Sequence, residues 1–600
     1  MANPIAISKK VITDVLIIGA GGAGLRAAAA IKEKSPFTSI AAITKVSSAQ
    51  KSHTCTAQGG VAAVDPKDPH DKIIYHEFDT WKGSDCSCDQ NVVRRVCSLA
   101  WDEIIWLEHH GLHFSRSPEG RIMKRPFGGH TLNFGEIKAF RSCYEADRTG
   151  KGIQDTVYFM ALKNDVQFYT EAVFTELILD GECCYGAILY DMNEGEFVEC
   201  RAKATIIATG GKARMYQVTS NCRQNTGDAL SIFLRQGLPL MDIEAVQFHP
   251  TGIVGPGILA SEALRGEGAV LRNNQDERFM ERYAPTIKDL APRDLVSRSI
   301  MTEIQEGRGF LHPAHQLPHV MLDMRHLPDV VHDKKLVEVS SFFKTFLGVD
   351  PKVELCPVTP TAHYQMGGIP TNIDGQVQID ENTIIAGLYA VGECATASLH
   401  GHNRLGTNSL LELITLGRTT GEHVADYISQ VTINGSSYSG DFTRSTFDKL
   451  LAVSNGSESQ FKLRRELTEL MNRCVGVFRD EKILLEAIEK LKELKERANH
   501  VEIKTKNLVL NQELLVTWEL HNLIDVSLGI AASALDRKES RGAHFRLDFP
   551  ERSDDYHYHT LCWMDQDMNC RLGKRKIDMS IYETEQGALK EKFGIIERKY

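Results

Sequence analysis

Several protein classes are excluded by what this sequence has little of. Its 14 cysteines include no CxxC pair and no ferredoxin-like run, so we expect no metal cluster and no other metal site in this chain. Lys and Arg number 69 against 79 Asp and Glu, and a net charge of −10 argues against nucleic acid as a partner. The first ten residues, MANPIAISKK, lack the apolar core of a signal peptide. We therefore expect the cysteines to be reduced thiols rather than disulfides.

Long apolar runs are also missing. The longest candidate, Val15 to Ile31, is rich in glycine and interrupted by Arg26, so it is not expected to cross a membrane. If the protein works at a membrane, other subunits hold it there. With 600 residues, 42% of them hydrophobic and 25% charged, the chain has an ordinary globular composition and a length that suggests three or four domains.

A glycine-rich turn follows the first apolar run. Thr13–Ile18 (TDVLII) predicts a β-strand, Leu25–Ile31 a helix and Ser39–Thr44 (SIAAIT) a second strand. Between the first strand and the helix, residues 19–24 read GAGGAG, which fits G-x-G-x-x-G in the βαβ context that this motif requires. Its glycines allow a tight turn, close approach to a pyrophosphate and helix–strand packing. The segment therefore predicts a dinucleotide site.

The residue after the second strand argues against an ordinary NAD enzyme. NAD sites place an acidic residue there for the ribose hydroxyl groups. This chain has Thr44-Lys45 instead, and no Asp or Glu appears until Asp65.

One histidine lies in a run of small and polar residues about thirty positions beyond the glycine turn. Lys51–Gly60 reads KSHTCTAQGG and offers His53 little apolar surrounding in which to be buried. A solvent-facing loop histidine is the simplest interpretation of this residue alone, and attachment of a cofactor is the alternative.

Nucleotide-binding elements lie on both sides of a long insertion. Strands are predicted at Phe174–Leu179, Ala187–Tyr190, Ala204–Ala208 and Ile384–Val391, and a helix at Ala229–Gln236. We expect an α/β protein: a Rossmann-like dinucleotide-binding domain with an inserted capping (lid) domain, then a helical bundle domain and a small C-terminal domain. The predicted bounds are 1–248 and 363–440 for the dinucleotide-binding domain, 249–362 for the capping domain, 441–553 for the helical domain and 554–600 for the C-terminal domain.

The helical domain is predicted from amphipathic patterns. Ile483 to Ala498 has charged residues on one face and an apolar stripe on the other, formed by Leu484, Ile488, Leu491, Leu494 and Ala498. Leu514 to Leu535 is a second long helical candidate.

Motif blocks in a fixed order identify a family resemblance. The blocks are SHTCTAQGG at 52–60, QFHPTG at 247–252, the group Glu262, Arg265 and Arg293, PTAHYQMGG at 360–368 and HGHNRLGTNSL at 400–410. With RKESRGAH at 537–544, they resemble the flavoprotein subunit of succinate dehydrogenase and fumarate reductase. The resemblance runs from Thr13 to about Asp578.

This resemblance implies that FAD is bound covalently through the ring of His53. Succinate is a poor reductant, so its oxidation needs a flavin that is easier to reduce than free FAD, and ~30 mV of a two-electron couple is worth ~1.4 kcal/mol. Glu393 would replace the acidic residue missing after the second strand. The cofactor-binding residues that the resemblance implies are Gly19, Ala20, Gly21, Gly22, Ala23, Gly24, Thr44, Lys45, Ser52, His53, Thr54, Gln58, Gly59, Gly60, Asp228, Glu393, Asn408, Ser409 and Leu410.

The resemblance also implies a dicarboxylate site. The substrate-binding residues are His249, Ser261, His363 and Arg404, and Ser261 replaces the threonine that many relatives carry. Arg404 can form a bidentate pair with a carboxylate, and the histidine rings can donate hydrogen bonds. Arg293 matches the family's proton-transfer arginine, with Glu262 and Arg265 as the relay behind it. Without the resemblance, these residues would be read as scattered loop residues and a structural Arg–Glu pair.

Gln58 bears on the direction of the reaction. Succinate-oxidising members tend to have glutamine here, and fumarate-reducing members glutamate. A neutral side chain avoids the repulsion that a carboxylate would exert on a reduced flavin, so we expect a succinate dehydrogenase. The alternatives are a fumarate reductase, an L-aspartate oxidase without covalent flavin, and an inactive assembly scaffold.

The implied partners are succinate or fumarate, an iron–sulfur subunit that receives the electrons, and one or more membrane anchor subunits that carry the quinone site. The expected location is peripheral, on the cytoplasmic side of the inner (cell) membrane.

Overall fold

The structure is a computed structural model that describes residues 5, 7–433, 438–583 and 587–598. The strands are β1 (Ile7–Ile18), β2 (Ile40–Thr44), β3 (Val61–Ala62), β4 (Lys124–Leu132), β5 (Ile137–Cys143), β6 (Gln167–Thr170), β7 (Ala172–Asp180), β8 (Cys183–Asp191), β9 (Glu196–Ile207), β10 (Leu240–Met241), β11 (Val246–Ile253), β12 (Val270–Arg272), β13 (Phe310–Leu311), β14 (Pro318–Asp323), β15 (Cys356–Gln365), β16 (Ile369–Pro370), β17 (Gln376–Gln378), β18 (Ile384–Ala390), β19 (Ala395–Thr396), β20 (Tyr558–Met564) and β21 (Cys570–Lys576).

The α-helices are α1 (Gly22–Lys34), α2 (Ile73–Gly83), α3 (Gln90–His109), α4 (Thr149–Lys163), α5 (Asp228–Arg235), α6 (Ala263–Gly266), α7 (Met280–Tyr283), α8 (Arg293–Gln305), α9 (Val337–Leu347), α10 (Asn408–Ile428), α11 (Asp441–Ala452), α12 (Gln460–Cys474), α13 (Glu481–Ala498), α14 (Gln512–Asp536), α15 (Ser580–Glu583) and α16 (Ala588–Lys592).

The largest sheet places β1 between β2 and β9. Its eight strands run in the order β17-β18-β8-β9-β1-β2-β6, with β7 beside β8. β1 is parallel to both neighbours. Val15, Leu16 and Ile17 have no exposed surface, as expected for a strand covered on both faces. The strand begins at Ile7, earlier than the expected Thr13, and the predicted βαβ unit is present.

Two glycines of the predicted turn are required by close packing. Gly19 has φ +116°, and a Cβ there would lie 2.1 Å from the Ala208 carbonyl oxygen. A Cβ on Gly24 would lie 2.3 Å from the carbonyl oxygen of Gly19. The turn therefore brings the start of α1 against the ends of β1 and β9, where a side chain would not fit.

The inserted segment forms a second sheet with its own core. Its strands run in the order β11-β15-β14-β12, with β13 beside β14. A separate apolar cluster that includes Ile253, Val296 and Val358 fills the space between this sheet and its helices. The segment leaves and rejoins the rest of the chain through the antiparallel pair β11 and β15, in which His249 lies opposite Thr361.

Helices α11 to α14 pack on the outer side of the large sheet and share its main apolar cluster. On α13 the buried residues are Leu484, Ala487, Leu491, Leu494 and Ala498. Ile488, predicted in that stripe, is only partly buried. The observed stripe alternates steps of three and four residues, which places Ala487 at its centre and Ile488 at its flank.

Among the described residues, α14 is the one helix long and apolar enough to cross a membrane by length and composition. In this structure 94% of its most apolar window is buried inside the protein, as in a core helix. Val15 to Ile31, predicted as the longest apolar run, is instead divided between β1, the glycine turn and α1.

The C-terminal segment is tied to the preceding chain. β20 pairs with β10 and with β21, and Tyr582 stacks on Phe593 with ring centroids 3.6 Å apart. Near the end of the chain, Arg598 pairs with Asp85 and with Asp294 of α8. The segment therefore contacts both the large-sheet part and the inserted part.

Candidate active site

A cavity of about 1070 Å³ lies between the large sheet and the inserted segment. Its floor is formed by residues at the ends of β1 and β9, including Ile18 and Ala208, and the inserted segment contributes Ser261, Glu262 and Arg293. Ligands of open α/β sheets bind at the carboxyl ends of the strands, where connections on the two sides of a strand diverge. β1, with β2 on one side and β9 on the other, is such a position.

Most of the residues predicted for the site line this one cavity. They are Gly19, Ala20, Gly21, Gly22, Ala23, Thr44, Lys45, Ser52, His53, Thr54, Gln58, Gly59, Gly60, Asp228, Ser261, Glu262, Arg293, His363, Glu393, Arg404, Ser409 and Leu410. They come from segments spread over almost 400 positions.

Four predicted residues are not among the lining residues: Gly24, His249, Arg265 and Asn408. Gly24 serves the packing of the turn described above. Asn408 begins α10 with its side chain turned away from the cavity, where it bonds to His76 and Thr80 at 3.0 Å each. Asn408 is therefore not positioned to contact a ligand in the cavity directly.

Lys45 and Asp228 are bound to each other at the cavity wall. Lys45 Nζ lies 2.6 Å from Asp228 Oδ2 and 2.7 Å from Glu519 Oε1 of α14. Burial alone would lower the pKa of Lys45, but the charges of the two carboxylates hold it above its usual value. Lys45 thus joins the βαβ unit to the helical region as well as lining the cavity.

Two arginines share one amide oxygen. Gln247 Oε1 accepts a hydrogen bond from Arg293 Nη1 at 3.0 Å and two from Arg404, through Nε at 3.3 Å and Nη2 at 3.2 Å. The amide nitrogen of Gln247 donates to Asn403 Oδ1 and to the Arg404 carbonyl oxygen, at 2.9 Å each. Burial lowers the pKa of Arg404 to about 9, and the charge of Arg293 contributes to this. Gln247 therefore holds two like charges together in a buried place.

Glu262 provides the negative charge beside this pair. Arg293 Nε donates to Glu262 Oε2 at 2.9 Å, and the Gly128 backbone N–H donates to Oε1 at 3.0 Å. Burial would raise the pKa of Glu262, but Arg293 and Arg265 hold it below its usual value. Arg265 donates to the Asp289 carbonyl oxygen, while its Nε and Nη2 have no hydrogen-bond partner among the described residues.

His249 and His363 meet edge to face, with ring centroids 5.3 Å apart. Burial and the nearby arginines keep the pKa of both rings well below the usual value, so both are neutral near pH 7. His249 Nδ1 accepts the Thr251 backbone N–H at 3.2 Å, so its proton is on Nε2. That Nε2 is buried and has no partner among the described residues, which leaves one unpaired donor on the ring that packs against His363, a residue that lines the cavity.

Arg404 also lies over an aromatic ring. Its guanidinium carbon is 4.3 Å from the centroid of Tyr364. The Tyr364 hydroxyl donates to Glu412 Oε2 at 2.5 Å, and His400 lies 3.0 Å from the same oxygen. Stacking and a buried carboxylate behind the ring restrict the orientation of Arg404.

His53 stands in a short 3₁₀ turn, His53–Thr56, and its ring lines the cavity. Burial, and then the charge of Arg404, lowers its pKa to about 4, so the ring is neutral at physiological pH. Gln58 is buried nearby, and its Oε1 has no hydrogen-bond partner among the described residues. Both side chains present unused polar atoms.

Glu393 lines the cavity, and Lys212 is a second buried ionisable group that interacts with it. The Gln365 backbone N–H donates to Glu393 Oε1 at 3.2 Å, and Lys212 Nζ donates to the Gly367 carbonyl oxygen at 2.7 Å. Burial raises the pKa of Glu393 to about 7 and lowers that of Lys212 to about 7. A Cβ on Gly211 would lie 2.5 Å from Glu393 Oε1, which explains the glycine before Lys212.

Five residues at or beside the site are not among those predicted from the sequence: Gln247, Tyr364, Lys212, Glu519 and Cys222, whose Sγ lies 3.3 Å from His53 Nδ1. The first two lie inside the motif blocks QFHPTG and PTAHYQMGG, so their positions were available although their contacts were not. Glu519 belongs to a helix that is mostly buried, where a carboxylate signals a specific partner. No sequence signal identifies Cys222 or Lys212.

Two family models match the chain. The FAD binding domain model covers residues 14–410, and the fumarate reductase flavoprotein C-terminal model covers residues 464–600. The chain is 41% identical over 585 residues to the succinate dehydrogenase flavoprotein subunit of Rickettsia bellii, covering 96% of this chain and 97% of that one. It is also 41% identical to the fumarate reductase flavoprotein subunit of Proteus vulgaris, covering 93% of each.

Solved structures resemble this one over almost the whole length. A variant of FrdA from the quinol fumarate reductase of E. coli gives a TM-score of 0.90 at 36% identity, covering 96% of this chain and 98% of that one. Sdh1 of Mycobacterium smegmatis in complex with UQ1 gives a TM-score of 0.83 at 33% identity, with 95% of each chain covered.

The shared oxygen of Gln247 generates a prediction. Gln247→Leu leaves the guanidinium groups of Arg293 and Arg404 without a common acceptor, so their repulsion should displace them. We expect the affinity for a four-carbon dicarboxylate to fall by about tenfold to a hundredfold, since a hydrogen bond to a charged group is worth ~1.5–3 kcal/mol. Titration followed through flavin absorbance gives the dissociation constant.

Gln236→Leu is the matched control, because Gln236 bonds only to the backbone of Leu177. Unchanged dicarboxylate affinity in Gln247→Leu would contradict the role of the shared oxygen.

Proposed function

The chain belongs to the family of flavoprotein subunits of succinate dehydrogenase and fumarate reductase, and on this premise we propose that it oxidises succinate to fumarate. It is an FAD-dependent oxidoreductase by family. We propose that its FAD is bonded to His53 and that the electrons pass to an iron–sulfur partner subunit. The observation that carries the proposal is one cavity lined by the glycine turn, His53 and the Arg293–Arg404 pair.

The residues present fit FAD. The cavity volume of about 1070 Å³ slightly exceeds the ~300–1,000 Å³ range of ligand pockets, as suits a large dinucleotide. The N-terminus of α1 opens onto the cavity through residues 19–23, where backbone N–H groups attract a pyrophosphate. We propose that these residues hold the pyrophosphate, that Glu393 binds ribose hydroxyl groups, and that Gln58 and Ser409 to Leu410 contact the flavin.

Bound FAD supplies the acceptor for a hydride from a substrate carbon. The chain's own residues bind and orient the substrate. We assign one carboxylate to Arg404 as a bidentate partner and the other end to His249, His363 and Ser261. Because the proton of His249 is on Nε2, this ring donates rather than accepts. Two neutral imidazoles and a buried guanidinium together favour a dianion over a neutral ligand.

The second proton of the reaction is assigned to Arg293. A guanidinium is an unusual acid–base group, since in water it keeps its proton above pH ~12. Arg293 shares one buried cluster with Arg265 and Arg404, and burial together with the charge of Arg293 lowers the pKa of both of these neighbours. Glu262, 2.9 Å from Arg293 Nε, is in place to take up that proton and exchange it through Arg265.

The domain arrangement offers a way to exclude water. We propose that residues 1–248 and 363–440 form the FAD-binding domain and that residues 249–362 cap it, with 441–553 and 554–600 as the helical and C-terminal domains. Ser261, Glu262 and Arg293 come from the capping segment, and His53 and Arg404 from the FAD-binding part. The site is therefore complete only when the two parts are in contact.

Partners follow from the same assignment. The electrons must leave the flavin, so we propose an iron–sulfur subunit as the recipient. We further propose anchor subunits with a quinone site and a peripheral position on the cytoplasmic side of the inner membrane. Relatives are named quinol–fumarate reductase with menaquinol and Sdh1 in complex with UQ1, which supports a quinone-linked assembly.

Fumarate reductase is the second candidate, because a relative of that name is as similar as one named succinate dehydrogenase. We expect faster succinate oxidation than fumarate reduction when both directions are assayed with artificial and quinone acceptors. A strong preference for fumarate reduction would overturn the assigned direction.

Gln58→Glu tests the physical reason for this direction. A unit charge ~4 Å away at an effective dielectric of ~20 is worth ~4 kcal/mol, enough to lower the flavin potential by tens of millivolts. The variant should shift the ratio of the two rates toward fumarate reduction, with a matching drop in the potential measured by redox titration.

Arg293→Lys tests the proton assignment. Lysine keeps the positive charge but not the guanidinium geometry shared with Gln247 and Glu262. We expect kcat to fall by about 10²–10⁴-fold in both directions, while flavin content stays at the wild-type level. Near-normal turnover would show that Arg293 is not the proton-transfer residue.

The covalent bond is tested by acid precipitation. Wild-type protein should give a fluorescent flavin band on a denaturing gel. His53→Ser should give a dark band and oxidise succinate more slowly. His326→Ser, the control at an exposed histidine, should give a fluorescent band like the wild type. A dark wild-type band, or full succinate oxidation by His53→Ser, would contradict the assignment of His53.

A further inference from the structure

His53 Nδ1 has two neighbours that the proposed function does not use. Thr56 Oγ1 lies 3.2 Å from it, and Cys222 Sγ lies 3.3 Å from it. Thr56 belongs to the same 3₁₀ turn as His53, whereas Cys222 arrives from the loop between β9 and α5. The side of the ring away from Nε2 is therefore fixed by two separate segments.

Counting hydrogens decides which nitrogen carries the ring proton. The Thr56 hydroxyl donates its single hydrogen to the His53 carbonyl oxygen at 2.8 Å, a shorter contact than the one to Nδ1. Its oxygen therefore presents a lone pair toward Nδ1, and a favourable contact requires a proton on Nδ1. A neutral ring with Nδ1 protonated has its lone pair on Nε2.

The thiol of Cys222 is compatible with this tautomer. Burial raises the pKa of Cys222 to about 11, so it is an uncharged thiol at neutral pH that does not remove a proton from the ring. Its sulfur is a weak acceptor and a bulky neighbour, so it limits rotation of the imidazole. Among the described residues, Nε2 has no hydrogen-bond partner that competes for its lone pair.

We propose that Thr56 and Cys222 are positioning residues that hold His53 in the Nδ1–H tautomer, so that Nε2 presents its lone pair to the flavin as a nucleophile. This inference rests on the proposed covalent bond at His53. In this inference Thr56 and Cys222 act in attachment of the cofactor, whereas other residues bind and oxidise succinate.

The attachment step balances with this tautomer. A bond forms between Nε2 and a methyl carbon on the flavin ring, a methyl C–H bond breaks, and that proton leaves. The ring proton on Nδ1 is lost as the second proton, and two electrons remain on the flavin. Fumarate takes up the two electrons and two protons as succinate, so the reaction needs no oxidant beyond the proposed substrate pair. In the other tautomer Nε2 carries hydrogen and has no lone pair to form the bond.

Paired substitutions separate this role from a merely structural one. Thr56→Val keeps the shape and loses the hydroxyl group, whereas Thr56→Ser keeps it. Cys222→Ala loses the sulfur contact, whereas Cys222→Ser keeps a polar atom against Nδ1. Each full-length variant is prepared flavin-free from a riboflavin-starved host and mixed with FAD and fumarate. In-gel fluorescence after acid precipitation gives the attachment rate, and flavin released by acid gives the non-covalently bound amount.

We expect attachment to be about fivefold slower in Thr56→Val, about twofold to threefold slower in Cys222→Ala and at least tenfold slower in the double variant, since a neutral hydrogen bond contributes ~0.5–1.5 kcal/mol. Thr56→Ser and Cys222→Ser should stay close to wild type, with equal non-covalent FAD in all variants.

Equal attachment rates in Thr56→Val, Cys222→Ala and wild type would overturn the inference. A parallel loss of non-covalently bound FAD in Thr56→Ser, Thr56→Val and Cys222→Ser would also overturn it. That result would mean that Thr56 and Cys222 serve the structure of the site and not the tautomer of His53. Neither outcome touches the covalent bond itself, which fails only if wild-type protein leaves a dark band.

Discussion

Two guanidinium groups bound to one amide oxygen define the centre of this protein. Arg293 and Arg404 belong to different parts of the fold, and Gln247 lies between them at the start of the strand that leads into the inserted segment. Buried like charges are stable only with compensating acceptors. Glu262, the Tyr364 ring backed by Glu412, and the Gln247 oxygen supply them, and a bound dianion would complete the compensation. The same cluster therefore supports both the proposed selectivity for a dicarboxylate and the proposed proton-transfer role of Arg293.

Local features could be predicted from the sequence, because their causes are local. The apolar strand, the alanine-rich helix and the glycine turn follow from patterns within thirty residues, and the structure contains all three. Most of the site residues predicted from the motif blocks line one cavity. Contacts that depend on distant segments were not predictable: Lys45 pairs with Glu519, and Asn408 turns to His76. Ile488 is only partly buried because the packed face of α13 is centred on Ala487, which leaves Ile488 at the flank.

The connection of the inserted segment has consequences for movement. β11 and β15 are paired to each other along their length, and they carry His249 and His363. A change in the angle of the inserted segment is therefore transmitted through the two strands that hold these histidines. Arg598 adds a restraint, because it pairs with Asp85 in the loop after α2 and with Asp294 on α8. This restraint and Arg293, the proposed proton-transfer residue, therefore lie on the same helix.

The ion pair between Lys45 and Glu519 joins residues 474 positions apart. During synthesis at ~5–20 residues per second, the second partner appears on the order of half a minute to a minute and a half after the first. Until then, Lys45 has Asp228 but not Glu519 as a partner, and this wall of the nucleotide cavity lacks the helix that supports it. The cavity therefore reaches its final form late in synthesis, after α14 has been made.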